Sequence, residues 1–214
     1  MKEHCRLCRG GPLLLVLLLP SGCALLTKGD PLTPRYFSAE PSEARSTDPA
    51  GAHGAPASGA AQAPELRLGR VTSASYLGER LVFRRSSTEL GFYEDRRWTE
   101  KPEMYFRRAL SRALFEEGGF RRTVSGGGPT LDVELVEFAE LLAPAHVGRA
   151  RVNFVLYDGR AVRTEGTLSV ELPIRAAKEP EQAAIAVSAL SQALKGAVTE
   201  IVTRVRASLS EAPQ

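Results

Sequence analysis

Three thiols are the residues whose type and spacing first point to chemistry: Cys5 and Cys8 in a C-x-x-C arrangement, and Cys23. A thiolate is a nucleophile and a soft metal ligand, and C-x-x-C spacing suits a redox pair or half of a zinc site. The surrounding residues set the first pair aside. Lys2, Arg6 and Arg9 make a basic start, Leu13 to Leu19 an apolar core, and Ser21-Gly22 the small residues that a signal peptidase needs before its cut. The core is far shorter than the ~20 residues that span a bilayer as a helix. Residues 1–22 therefore read as a signal peptide, and Cys5 and Cys8 leave with it.

Cys23 closes this segment, directly after a small residue. The stretch from Leu13 to Cys23 resembles a bacterial lipobox, with Pro20 standing where Leu is usual. In that family of signals the thiol is diacylated, the signal is cut before the Cys, and the new amino terminus is acylated in turn. The alternative is an ordinary secretory signal followed by an incidental Cys. Each buried CH₂ contributes about 0.8 kcal/mol, so one acyl chain binds reversibly while two or more hold. A lipid-modified Cys23, carrying palmitate-type chains, would stay in its membrane. Ala24 follows, and the lack of Asp there resembles an outer-membrane address, on the periplasmic face.

The remaining candidates for chemistry are few. His4 falls in the signal and His53 in an Ala/Gly/Pro stretch, leaving His146 near the start of a strand. Gly126-Gly127-Gly128 precedes a strand and not a helix, so it reads as a turn and not as a phosphate cradle. Asp132, Glu134, Glu137 and Glu140 lie along one strand region, as charges on a wet face do. Neither a catalytic set nor a metal or cofactor site is expected. Four arginine doublets, Arg84-Arg85, Arg96-Arg97, Arg107-Arg108 and Arg121-Arg122, fall close together. Neighbours on a strand or helix point apart, so the doublets need not form one patch. Solvated arginines are one reading; a docking face for an acidic partner or lipid headgroups is the other. Arg84, Arg85, Arg96 and Arg97 are the candidates for partner binding, together with Trp98, the sole Trp, which either closes the core or anchors a partner. The net charge is +3, and it falls to +1 without the signal's Lys2, Arg6, Arg9 and Glu3, which gives no case for nucleic acid.

These residues need elements to position them. Residues 23–34 read as a tether. Residues 35–64 hold a brief strand at Arg35 to Ser38, then an Ala/Gly/Pro-rich segment with too little apolar surface to order itself. Whether Tyr36 joins the sheet decides if that segment is an internal loop or part of the tether. Residues 65–209 form the folded α/β domain. Leu66, Leu68 and Val71 suggest a strand, and Leu81 to Arg85 with Leu90 to Tyr93 a hairpin. Trp98 or Thr99 would start a helix with Pro102 in its first turn, carried by Phe106, Leu110, Ala113 and Leu114 and ended by Gly118-Gly119. Three strands follow. In the first, apolar parity slips between Leu135 and Phe138, which predicts a β-bulge near Leu135. Opposed residues must share a face, so Phe154 is expected opposite Val162 across a three-residue Tyr157-Asp158-Gly159 loop, with Gly159 left-handed. A long amphipathic helix over residues 179–209 ends the chain, its alanines suited to close approach to a sheet, although a coiled-coil seam would look similar. The expected fold is α+β: a mostly antiparallel sheet with two helices packed on one face, in two layers.

The run from Leu81 to Ser87, with Glu89-Leu90-Gly91-Phe92-Tyr93, Arg97-Trp98-Thr99, Lys101-Pro102, Leu110, Leu114 and Gly119-Phe120, resembles the auxiliary lipoprotein component of ABC-type transport systems, the paraquat-inducible C type. Tyr36, Asp158-Gly159 and the Ala-rich helix from Ala183 to Arg206 fit the same pattern. Two departures are Phe83-Arg84, where the family often has Tyr-Arg, and the longer insert from Glu40 to Pro64. The resemblance implies a non-enzymatic, outer-membrane-anchored periplasmic lipoprotein. Its partners would be an MCE-domain protein and its ABC permease, which move lipids or other hydrophobic compounds. Homo-oligomerisation is left open. The alternative is a lipoprotein that assembles or regulates an outer-membrane or cell-wall complex.

Overall fold

The computed structural model describes residues 32–40, 63–124 and 127–210. The signal, Cys23 and most of the Ala/Gly/Pro-rich segment lie outside the described residues. The strands are β1 (Arg35–Phe37), β2 (Glu65–Ser73), β3 (Arg80–Arg84), β4 (Leu90–Trp98), β5 (Arg121–Arg122), β6 (Thr130–Leu141), β7 (Val147–Asp158) and β8 (Ala161–Pro173). The helices are α1 (Pro102–Arg112), which continues into a π-helical turn over Ala113–Glu117, and α2 (Glu181–Ser210).

Everything is hung on β6. One edge of it pairs antiparallel with β7 from Thr130 to Leu141, and β7 pairs antiparallel with β8. Its other edge is shared: β2 lies parallel to the first half and β3 parallel to the second. Beyond β3 come β4 and then β1, and beyond β2 comes β5. The sheet is therefore mixed, with parallel pairings at β1–β4, β2–β5, β2–β6 and β3–β6. The expectation of a mostly antiparallel sheet is corrected here. It rested on hairpin spacing, which reports only neighbours in sequence, whereas parallel pairs join strands separated by a long crossover. Here β4, α1 and β5 all lie in the connection between the parallel pair β3 and β6. Tyr36 pairs with Arg97, so β1 belongs to the sheet and residues 41–62 connect two of its strands.

The bulge in β6 falls where the sequence places it. Leu135 faces Val152 and Glu137 faces Arg151, leaving Val136 as the extra residue. Tyr76, from the detour between β2 and β3, donates its hydroxyl to the Val136 carbonyl over 2.7 Å. The bulge switches the core parity of β6 from Leu131, Val133 and Leu135 to Phe138, all buried.

The β7–β8 register differs from the expected one. Gly159-Arg160 make a two-residue turn between Asp158 and Ala161, and a bulge at Arg163 then restores even pairing. Phe154 faces Gly166 and Val152 faces Leu168. The parity requirement was met by a bulge in the strand and not by a third loop residue. Val162, now opposite Tyr157, lies off the core face and is 58% exposed. Gly159 has φ +60°, the left-handed conformation that turns of this kind require.

Neither Trp98 nor Thr99 starts a helix. Trp98 ends β4, and α1 begins at Pro102 with Lys101 as its extended N-cap. Proline suits the first helical position because its missing N–H would have no intrahelical partner. β4 also runs further than expected. Its polar stretch from Glu94 to Arg97 hides a strand because the β3–β4 register shifts between Val82–Phe92 and Arg80–Arg97. Leu110 and Leu114 sit at 0% exposure, and α1 packs on β2, β6 and α2.

α2 is long and apolar enough to cross a membrane, but its apolar stripe is buried, with Val187, Leu190, Leu194, Val198, Ile201 and Val205 in the core cluster beside β7 and β8. The approach is close. A Cβ at Gly148 of β7 would lie 2.9 Å from the Leu190 backbone nitrogen, so only glycine fits there.

Candidate functional site

The two faces of the sheet treat the arginines of β3 and β4 differently, and register decides which is which. Arg84 shares a face with Glu137 and Arg149, away from Phe138. It bonds Glu137, which also takes Arg149 at 3.4 Å, and Arg149 reaches Glu171 on β8. This is a charge ladder across four strands. Burial works against the Arg84 charge, but Tyr76 and Glu137 outweigh it and hold the guanidinium above its ordinary pKa. Arg85, on the opposite face, is exposed. It pairs with Glu89 at 3.1 Å and lies over the Phe83 ring. Such an exposed pair contributes little.

Arg96 is 8% exposed and belongs to a buried ionic cluster. Its Nη1 lies 3.6 Å from Oε2 of Glu140, its Nη2 donates to Glu179, and its guanidinium covers the Tyr93 ring at 3.8 Å. Glu140, 2% exposed, also accepts from the Tyr93 hydroxyl at 2.8 Å and meets Nε2 of His146 at 2.6 Å. Arg35 of β1 closes the cluster on Glu179 at 3.0 Å. Both oxygens of Glu140 are taken, and the set links β1, β4, β6 and the approach to α2. Desolvation, then the Glu140 charge, pushes the Tyr93 hydroxyl far above the ordinary tyrosine range.

Trp98 is 2% exposed, stacked on Phe138 with ring centroids 5.1 Å apart and edge-on to Tyr105 of α1. It joins sheet to helix inside the core.

Arg97 turns the other way. Its Nη1 is buried without a hydrogen-bond partner, and it borders a surface groove of about 630 Å³. Tyr76, Glu79, Arg80, Phe92 and Lys101 also line the groove. Arg80 lies over the Phe92 ring at 4.6 Å. None of Arg80, Arg97 and Lys101 has a carboxylate partner among the described residues. Tyr36, which pairs with Arg97, is 64% exposed beside them. Three cations without a carboxylate partner thus stand around partly exposed aromatic rings, an arrangement chemically suited to an acidic group. Of the residues singled out from the sequence, Arg97 alone reaches it. Arg80 and Lys101 were missed because the β4 register shift, which brings Arg80 opposite Arg97, leaves no mark in the alternation of side chains. Among the described residues no group of His, Cys, Asp and Glu is arranged to hold a metal ion.

The family model for the ABC-type transport auxiliary lipoprotein component matches residues 47–202. This chain belongs to that family. The matched span of the auxiliary lipoprotein includes every strand except β1, together with α1 and most of α2. No curated protein matches it. Among solved structures it is similar to a Xanthomonas campestris protein of the DUF330 family, with TM-score 0.60 and 19% identity over 68% of this chain and 85% of that one. It is also similar to an uncharacterised protein (TM-score 0.56, 15% identity, 81% and 99% covered). A hypothetical protein of Chlamydia trachomatis gives TM-score 0.50 and 10% identity, with 69% and 98% covered. At these identities the likeness is one of fold. The family is one of transport auxiliary lipoproteins and not a known family of enzymes.

Proposed function

We propose that this chain is acylated at Cys23, anchored in the outer membrane on its periplasmic face, and serves as the binding and tethering component of an ABC-type, MCE-linked transport system for lipids or other hydrophobic compounds. The observation that carries this reading is the family match over residues 47–202 lying behind the Leu13–Cys23 lipobox. Twelve residue steps separate Cys23 from Arg35. At about 3.3–3.6 Å per residue, a fully extended tether of that length reaches at most roughly 40 Å. The Arg35–Glu179 pair supports a firm hold between the end of that tether and the approach to α2. The groove beside Arg97 is the docking surface, and its unpaired cations favour an acidic face on the MCE-domain protein or the permease.

Two measurements test this. Metabolic labelling with a fatty-acid analogue should mark the wild type and fail on Cys23→Ser; equal signal overturns the anchor. A pull-down of the anchored protein from membrane extract, identified by mass spectrometry, should recover an MCE protein and permease, and Arg97→Ala with Lys101→Ala should weaken that recovery. Recovery of a β-barrel or a cell-wall synthase in their place overturns the transport reading.

A further inference from the structure

Two of the arginine doublets divide their labour. In Arg107-Arg108, Arg108 turns to Glu100 at 2.7 Å and Glu40 at 3.1 Å. In Arg121-Arg122, Arg121 pairs with Glu65. The other members, Arg107 and Arg122, turn into a recess of about 310 Å³ between α1 and the β2–β5 edge, where Arg67 joins them. Leu68, Ser111 and Thr123 help to line it, and no carboxylate does. None of the three guanidiniums has a carboxylate partner among the described residues.

Two of the three are held in place by neutral groups. Arg67 Nε donates to Oγ1 of Thr130 at 3.1 Å. Arg122 Nη2 donates to Oγ of Ser111, and its guanidinium lies over the Phe115 ring at 4.4 Å. Ser111 stands one turn beyond Arg107, so both project from the same face of α1. Each guanidinium keeps N–H donors in hand. Like charges gathered without a counter-charge repel one another, and an anion in the recess relieves that repulsion. A guanidinium matches a phosphate with paired N–H donors, and a recess of this size suits a headgroup-sized ligand.

We propose that the recess formed by Arg67, Arg107 and Arg122 is a binding site for a phosphate group, carried by a phospholipid headgroup or free in solution. The site lies on other residues than the groove beside Arg97, and it does not depend on the transport reading.

The test is isothermal titration of the full-length acylated protein in a phosphate-free detergent, with inorganic phosphate and with dihexanoyl phosphatidic acid as probes. One saturable site is expected, weakened about tenfold or more by Arg107→Gln and by Arg122→Gln, lessened by salt, and unchanged by Arg85→Gln. Tighter binding of the short-chain lipid names a headgroup as the source, and equal or weaker binding names free phosphate. No saturable binding of either probe, or an equal loss in Arg85→Gln, overturns the site. Arg107 is exposed and makes no hydrogen bond or ion pair among the described residues, so Arg107→Gln keeps the test decisive even if Arg122→Gln fails to fold.

Discussion

The hydroxyl of Tyr93 on β4 donates to Oε2 of Glu140 on β6 over 2.8 Å, reaching across β3, which lies between the two strands. The bond ties together strands that share no backbone pairing. It also places a buried carboxylate beside Arg96, whose other acidic partner, Glu179, is half exposed. Glu140→Ala should therefore destabilise the domain by about 3–5 kcal/mol, the cost typical of leaving one partner of a buried pair uncompensated. Urea unfolding monitored by circular dichroism measures it. The double variant Arg96→Met, Glu140→Leu should recover most of the loss, and a double as unstable as the single would show that packing around Glu140 matters more than charge.

The same bond sets a pH dependence. The Tyr93 pKa is raised in the folded protein, by burial and by Glu140, while an unfolded tyrosine titrates near its ordinary value of about 10. Below pH 10 the hydroxyl is protonated in both states, and its contribution is fully present. Above that the unfolded chain loses the proton first, so the unfolded state binds fewer protons and stability falls as pH rises. Unfolding curves between pH 8 and 11 should show this decline, and it should be shallower in Tyr93→Phe. An unchanged slope in that variant would assign the decline to other groups, Tyr76 first, since its pKa is raised too.

Trp98 stands between Phe138 and Tyr105. Its emission should be blue-shifted, and Trp98→Ala should cost about 3–5 kcal/mol, as truncation of a buried aromatic does. Red-shifted emission with unchanged melting would place the indole at the surface.

Gly148→Ala is a small change on paper. The new Cβ would press on the α2 backbone at Leu190, 2.9 Å away. Helix and strand must part by a few tenths of an ångström, so a loss of about 1–3 kcal/mol is expected. Thermal melting checks it, with Gly78→Ala as a control, since a Cβ there meets nothing within 4 Å.

Much of the fold is legible along the chain. Both helices, the bulge in β6 and the left-handed Gly159 follow from periodicity and turn chemistry, which are properties of neighbouring residues. The parity rule constrained the β7–β8 register and still missed it, because the bulge at Arg163 and a longer loop satisfy the same rule. The candidate surface was legible in kind but not in membership. The doublets do point apart, as alternation requires, yet which member meets an acid depends on residues far away in sequence: Glu179 for Arg96, Glu137 for Arg84, Glu65 for Arg121.

By itself, then, the sequence determined the local elements, the candidate acylation site at Cys23 and the family, since each is written in runs of adjacent residues. Tertiary structure alone decided that β2 and β3 share one edge of β6 in parallel, that Trp98 is interior, and that Arg97, Arg80 and Lys101 border one groove. Parallel pairing and charge neutralisation act between segments tens of residues apart, and no local pattern encodes a partner chosen by proximity in space.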